Sequence, residues 1–123
     1  STLVDGLDLG QWQRAMRPNT RTCFLESPTN PTLDVLDIGA IAAIAHAGGA
    51  RLVVDNVFAT PVWQSPLQLG ADVVVYSATK HIDGQGRCLG GVVLSWPVSA
   101  ASDDIDRRAV GVAAAGGATE LLA

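Results

Sequence analysis

Ser77, Thr79 and Lys80 follow the apolar run Val73-Val74-Val75-Tyr76 and place two hydroxyls and one primary amine within four residues. Lysine is the side chain that forms Schiff bases, because burial or a nearby cation can lower its pKa enough to free the amine. Two hydroxyls beside such an amine suit a phosphorylated, carbonyl-bearing ligand. Two other polar groups close apolar runs in the same manner. Asp55 follows Leu52-Val53-Val54, and Asn30 lies in Ser27-Pro28-Thr29-Asn30-Pro31, just after Thr22-Cys23-Phe24-Leu25-Glu26.

The elements that must position these groups can be read from periodicity. Residues 72–76, 51–56 and 22–26 read as buried strands, since β-branched and aromatic side chains suit a pleated apolar surface. The prolines at 28 and 31 break the strand at 22–26. Asp37 opens a helix carrying Ile38, Ile41, Ala42, Ile44 and Ala45, and Gly48-Gly49 closes it. Strand, helix and strand make a βαβ unit, with a right-handed crossover and parallel strands, so Asn30 and Asp55 are expected on one rim. The carboxyl ends of strands in an open α/β sheet face the ligand crevice, which puts Ser77, Thr79 and Lys80 there too.

The remaining elements are plainer. Asp8 is expected to cap a short helix bearing Leu9, Trp12, Ala15 and Met16 that ends before Pro18. Pro61 to Leu69 reads as a brief helix with Val62, Trp63, Pro66, Leu67 and Leu69 on its apolar side. A loop spaced by Gly84, Gly86, Gly90 and Gly91 leads into a strand at 91–95 whose direction is not legible. From Pro97 the chain turns rich in alanine, glycine and serine, so a boundary is expected there, with 1–96 one domain and 97–123 a weakly helical or disordered tail.

Composition excludes several classes. The 123 residues are 48% hydrophobic and 16% charged, as in a soluble α/β domain, and the net charge of -4 offers no footprint for nucleic acid or an anionic membrane. No apolar run nears the ~20 residues that span a bilayer, and residues 1–10 lack the pattern of a signal peptide, so the cytoplasm is the expected location. Cys23 and Cys88 lack any CxxC or Cys/His spacing and are expected as reduced thiols. His46 reads as a helix-terminal or half-buried residue, and no metal site is expected.

Convergence of the strand ends narrows the chemistry. An aspartate at the end of an apolar strand is costly to bury without a cation or hydrogen bonds, and a protonated ring nitrogen would supply the cation. Pyridoxal phosphate (PLP) asks for a lysine Schiff base, an acid beside its pyridinium nitrogen and donors for its phosphate, and these strand ends can provide all three.

Three ordered segments, Glu26-Ser27-Pro28-Thr29-Asn30-Pro31, Val53-Val54-Asp55-Asn56-Val57-Phe58-Ala59-Thr60-Pro61 and Tyr76-Ser77-Ala78-Thr79-Lys80-His81-Ile82-Asp83-Gly84, resemble the Cys/Met-metabolism (trans-sulfuration) family of PLP enzymes over residues 5 to 95. The resemblance implies the large domain of the aspartate aminotransferase-like fold (fold type I), of which this chain would be a central part with a partial, mostly parallel sheet. It implies that Lys80 forms the Schiff base and later shuttles protons, that Asp55 pairs with the pyridinium nitrogen, and that Ser77 and Thr79 bind the phosphate. Asn30 would lie near the cofactor's phenolic oxygen and the substrate carboxylate. Val57 stands where several relatives have threonine, so one polar contact toward the cofactor is expected to be missing. Within the family the likeness is greatest to sulfhydrylases acting on O-succinylhomoserine, which implies γ-replacement by a sulfur nucleophile on a small amino-acid substrate, in a homo-oligomer built as a dimer of dimers. Cystathionine γ-synthase and the cystathionine and methionine γ-lyases are the related alternatives. The family's upstream phosphate-binding glycines, ring-stacking tyrosine and downstream carboxylate-binding arginine are not recognisable here, so the isolated segment is expected to be inactive.

Other readings fit less well. Tyr76-x-x-x-Lys80 matches the pair of a short-chain dehydrogenase, but that chemistry needs both residues one helical turn apart, whereas the valines before Tyr76 favour a strand. No strand precedes a G-x-G-x-x-G, and no G-x-x-x-x-G-K-[ST] supports a P-loop around Asp55. A non-enzymatic remnant acting as an interaction module is the remaining alternative.

Overall fold

The structure, a computed structural model, describes residues 1–96 and the backbone of Ala113–Ala114. Three strands, β1 (Thr22–Glu26), β2 (Arg51–Asp55) and β3 (Val73–Ser77), run parallel in chain order. β4 (Gly90–Ser95) lies antiparallel to β3, and β5 (Ala113–Ala114) lies antiparallel to β4 at the edge. The mostly parallel α/β sheet expected from sequence is therefore present, and the direction of β4 is settled by its pairing. The expected tail gives two residues to β5, and the rest of that expectation falls outside the described residues.

The helices pack on one side of the sheet. Helix α1 (Leu9–Ala15) starts at Asp8, whose carboxylate accepts from the Gln11 N–H at 3.0 Å, and α2 (Ile38–Ala47) starts at Asp37, which accepts from the Ala40 N–H at 2.9 Å. Both acids satisfy first-turn donors that the helix itself leaves unpaired. At the far end of α2, Gly49 takes the left-handed backbone (φ 73°), while Gly48 before it does not (φ -86°). The buried face of α2 (Ile38, Ile41, Ala42, Ala45) meets Cys23 and Leu25 of β1, Leu52 and Val54 of β2, and Val74 and Tyr76 of β3, with Trp12 of α1 closing the core. His46, in the last turn of α2, contacts Asp72 with Nε2 2.9 Å from Oδ2, and the same oxygen accepts from the Leu52 N–H at 2.7 Å. Asp72 thereby ties α2 to the base of the sheet.

The stretch 61–69 departs from expectation. It divides into α3 (Thr60–Trp63) and a 3-10 turn at Pro66–Leu69, and Val62 and Trp63 are 81% and 85% exposed instead of packed. Pro66 drives the residue before it out of the helical region, as Ser65 shows at φ -117°, ψ 81°. Gln64 is also extended, which turns its amide back beneath the sheet.

Candidate active site

The register sets the site. Glu26 pairs with Asp55, and Asp55 with Val75, so the carboxyl ends of three neighbouring strands form one rim. The Ser27 N–H reaches the Asp55 carbonyl at 3.2 Å, and the Asn56 N–H reaches that of Val75 at 3.1 Å, extending the ladder one residue past each strand. Antiparallel pairing of Ser77 with Gly91 brings the start of β4 to the same rim. Because strand side chains alternate, Cys23, Leu25, Leu52, Val54, Val74 and Tyr76 face the helices, whereas Phe24, Glu26, Val53, Asp55, Val75 and Ser77 face the opposite side. Asp55 and Ser77 thus share one sheet face at one rim.

Each expected site residue can be placed. Asp55 is half-buried, and its Oδ1 accepts from the Val57 N–H at 3.0 Å. Ser77 is the last residue of β3, half-buried, with no hydrogen bond from its hydroxyl among the described residues. The Thr79 hydroxyl accepts from the Gly90 N–H at 3.2 Å and so joins the turn after β3 to the start of β4. Lys80 is exposed within the wide turn Ala78–Ile82, at a non-helical φ -86°, ψ -111°, and its amine has no ion pair or hydrogen bond among the described residues. Wide turns of this kind recur at functional sites. Asn30 is exposed, and its N–H donates to Glu26 Oε2 at 3.1 Å, folding the proline loop back over the end of β1. That loop is closed by Thr29, whose hydroxyl accepts from the Asp34 N–H at 2.9 Å and whose carbonyl accepts from the Leu33 N–H at 2.8 Å. Tyr76 points into the core, 7% exposed, so it is turned away from the face that carries Asp55 and lacks the helical relation to Lys80 that dehydrogenase chemistry requires.

The loop beyond the lysine is ordered by Asp83. Its Oδ2 accepts from the Arg87 N–H at 2.7 Å and the Gln85 N–H at 3.3 Å, and the Arg87 bond above all holds the carboxyl below its usual range. Cys88 is exposed, and desolvation followed by the negative charge of Asp83 pushes its thiol upward. Cys23 is buried and raised by desolvation alone. No group of three or more metal-ligating side chains occurs among the described residues.

A second polar cluster is not anticipated by the sequence reading. Asn56 and Ser27, both 0% exposed, occupy buried strand phases two residues beyond Val54 and Leu25 on the same face. Asn56 donates to the carbonyls of Thr60 (3.1 Å) and Gln64 (3.0 Å) and contacts the Tyr76 hydroxyl at 2.9 Å, while Gln64 donates to Asn56 Oδ1 at 2.7 Å and to the Ser27 carbonyl at 2.8 Å. Continuing the period-2 alternation past each strand would have revealed two polar residues in the buried phase, where partners are obligatory.

Comparison with known proteins identifies the family of the chain as a whole. The sequence profile described as Cys/Met metabolism PLP-dependent enzyme matches residues 1–119, and the chain belongs to that family. It is 56% identical over 94 residues to an O-succinylhomoserine sulfhydrylase of Mycobacterium tuberculosis (76% of this chain, 23% of the relative) and 62% identical over 86 residues to one of Pseudomonas aeruginosa (70% and 21%). A cystathionine γ-lyase of Bacillus subtilis is 45% identical over 95 residues (77% and 25%). Among solved structures, cystathionine γ-lyase from Lactobacillus plantarum, complexed with L-serine, superposes with a TM-score of 0.74 at 42% identity, covering 76% of this chain and 25% of that one. The chain therefore spans about a quarter of the length of the curated relatives it matches.

The cofactor of the family is PLP, and the rim suits it. Asp55 offers a carboxylate with only one oxygen engaged, Ser77 a hydroxyl without a partner, and Lys80 an amine without a counter-ion among the described residues.

Proposed function

We propose that this segment supplies the covalent and ring-nitrogen contacts to PLP in an enzyme that carries out γ-replacement on an O-acylhomoserine, O-succinylhomoserine foremost, with a sulfur nucleophile. The observation that carries the reading is the register that sets Asp55 and Ser77 on one face of adjacent strand ends, with Lys80 three residues further on. Greater identity to the two sulfhydrylases than to the lyase supports replacement over elimination.

When bound, PLP stabilises negative charge at the α-carbon of an attached amino acid. In this reading Lys80 holds the cofactor covalently and then moves the α-proton, Asp55 keeps the ring nitrogen protonated, and Ser77 and Thr79 bind the phosphate. Asn30, on its loop above β1, orients the substrate carboxylate. Succinate leaves the γ-carbon, sulfur bonds there, and the product is homocysteine from sulfide or cystathionine from cysteine. The reading carries with it a cytoplasmic enzyme that assembles as a homo-oligomer, a dimer of dimers, with the isolated 123 residues inactive.

The test is made on the intact polypeptide that carries this segment. Borohydride reduction should fix PLP on the peptide containing Lys80, Lys80→Ala should abolish both label and turnover, and sulfide with O-succinylhomoserine should release succinate and homocysteine. Release of 2-oxobutyrate and ammonia from cystathionine or methionine as the dominant reaction would favour a lyase instead, and labelling elsewhere than Lys80 would end the assignment of the lysine.

A further inference from the structure

The buried amide cluster lies on the face opposite Asp55 and takes no part in the chemistry proposed above. We propose that Gln64, acting through Asn56 and Ser27, is a positioning residue for the Asp55 carboxylate. The inference rests on the reading of Asp55 as the partner of the cofactor's ring nitrogen.

Two routes connect Gln64 to Asp55. Along the first, Gln64 donates to Asn56 Oδ1 at 2.7 Å, and the Asn56 amide is saturated in turn by the carbonyls of Thr60 and Gln64. Both partners are carbonyls, so the orientation of the Asn56 amide is fixed by its surroundings. The peptide after Asn56 bears the Val57 N–H that holds Asp55 Oδ1 at 3.0 Å. The Asn56 amide, bonded to the Thr60 and Gln64 carbonyls, therefore holds the turn whose first peptide carries the donor that aims the carboxylate. Along the second route, Gln64 donates to the Ser27 carbonyl at 2.8 Å, and the N–H of Ser27 binds the Asp55 carbonyl at 3.2 Å.

A backbone feature reinforces the first route. Thr60 sits at φ 57°, a left-handed conformation that a β-branched residue rarely adopts. Its N–H donates to the Asn56 carbonyl at 3.0 Å and its carbonyl accepts from the Asn56 amide at 3.1 Å. Asn56 thus clamps the turn that follows Asp55 from both sides, and Gln64 clamps Asn56. The buried side-chain polar atoms of this cluster are satisfied, as is true of every such atom among the described residues. A fully satisfied network defines one geometry, which is what a carboxylate paired with a ring nitrogen needs.

The test compares Gln64→Ala and Gln64→Glu in the intact polypeptide. The glutamate variant keeps the shape of the glutamine side chain, but its ionised carboxylate donates to neither Ser27 nor Asn56. The readouts are the PLP dissociation constant and the pH midpoint of the bound cofactor's absorbance, with Asp55→Asn as the reference for a lost carboxylate and thermal melting to report folding. Both Gln64 variants should weaken PLP about tenfold and shift the midpoint by about one pH unit in the same direction as Asp55→Asn shifts it. Unchanged midpoints in the two folded variants, or a lower melting temperature without a shifted midpoint, would reduce the network to scaffold and overturn the inference. A midpoint that does not respond to Asp55→Asn would instead remove the role of Asp55, and the positioning role with it. An intact wild-type polypeptide that takes up no PLP overturns both.

Discussion

Asn56 and Tyr76 show how unequal the two ends of one hydrogen bond can be. The Asn56 amide carries two hydrogens but has three acceptor oxygens within reach, so losing the Tyr76 hydroxyl leaves both hydrogens on carbonyls. Losing the amide leaves the Gln64 carbonyl and one Gln64 side-chain N–H without partners together, while the Thr60 carbonyl keeps the Gln64 backbone N–H at 3.3 Å. Each stranded buried group costs about 1–3 kcal/mol, whereas one ordinary hydrogen bond contributes about 1 kcal/mol. Urea unfolding should therefore show Asn56→Ala destabilised by at least ~2 kcal/mol and Tyr76→Phe by ~1 kcal/mol or less. Equal losses would mean the hydroxyl is the essential partner. Asp55, Ser77, Thr79, Lys80 and Asn30 are all legible as candidates because each interrupts or follows an apolar run. The amides are not, because a single Asn or Gln carries no pattern until the strand phase that buries it is known.

The loop after Lys80 is held by a carboxylate, and this makes its order dependent on pH. Asp83 has a folded pKa below its ordinary 3.8, chiefly through the Arg87 N–H. A depressed carboxyl contributes stability that is present above the unfolded pKa and lost as pH falls through the lower folded value. The carboxyl carbon of Asp83, followed by NMR, should titrate below 3.8, and Arg87 N–H protection should fall with it. In Asp83→Asn that protection should be weak already at neutral pH. Titration at or above the ordinary value would show that the loop does not rely on this carboxylate. Among the elements, the strands and α2 are readable because alternation and a 3.6-residue period are written in apolar residues, with Asp8 and Asp37 marking the helix starts. The stretch after β2 reads as one helix but does not form one, because its apolar residues do not all pack: Val62 and Trp63 are exposed while Gln64 turns inward. Hydrogen bonds to Asn56 outweigh hydrophobic spacing there.

At the scale of the molecule, one layer of helices on one side of the sheet forms the core, and Ile41, 0% exposed, sits at its centre. Ile41→Ala should cost about 2–5 kcal/mol by lost transfer energy and the cavity left behind. Far-UV circular dichroism and tryptophan fluorescence should shift together, as expected for one cooperative unit. Separate transitions would show that β1 to β4 do not unfold as one. The opposite face carries Phe24, 58% exposed, with Val53 and Val75, beside Asp55 and Ser77. Local pattern alone determined the βαβ unit, its parallel strands and the grouping of chemistry at their ends, because apolar periodicity and chirality act within a few dozen residues. Three-dimensional packing decided the antiparallel course of β4, the division of α3 from the turn after it, and the amide network behind Asp55. Those depend on partners as far apart in the chain as Ser27, Asn56, Gln64 and Tyr76, and no short-range preference specifies which of the available donors and acceptors will meet.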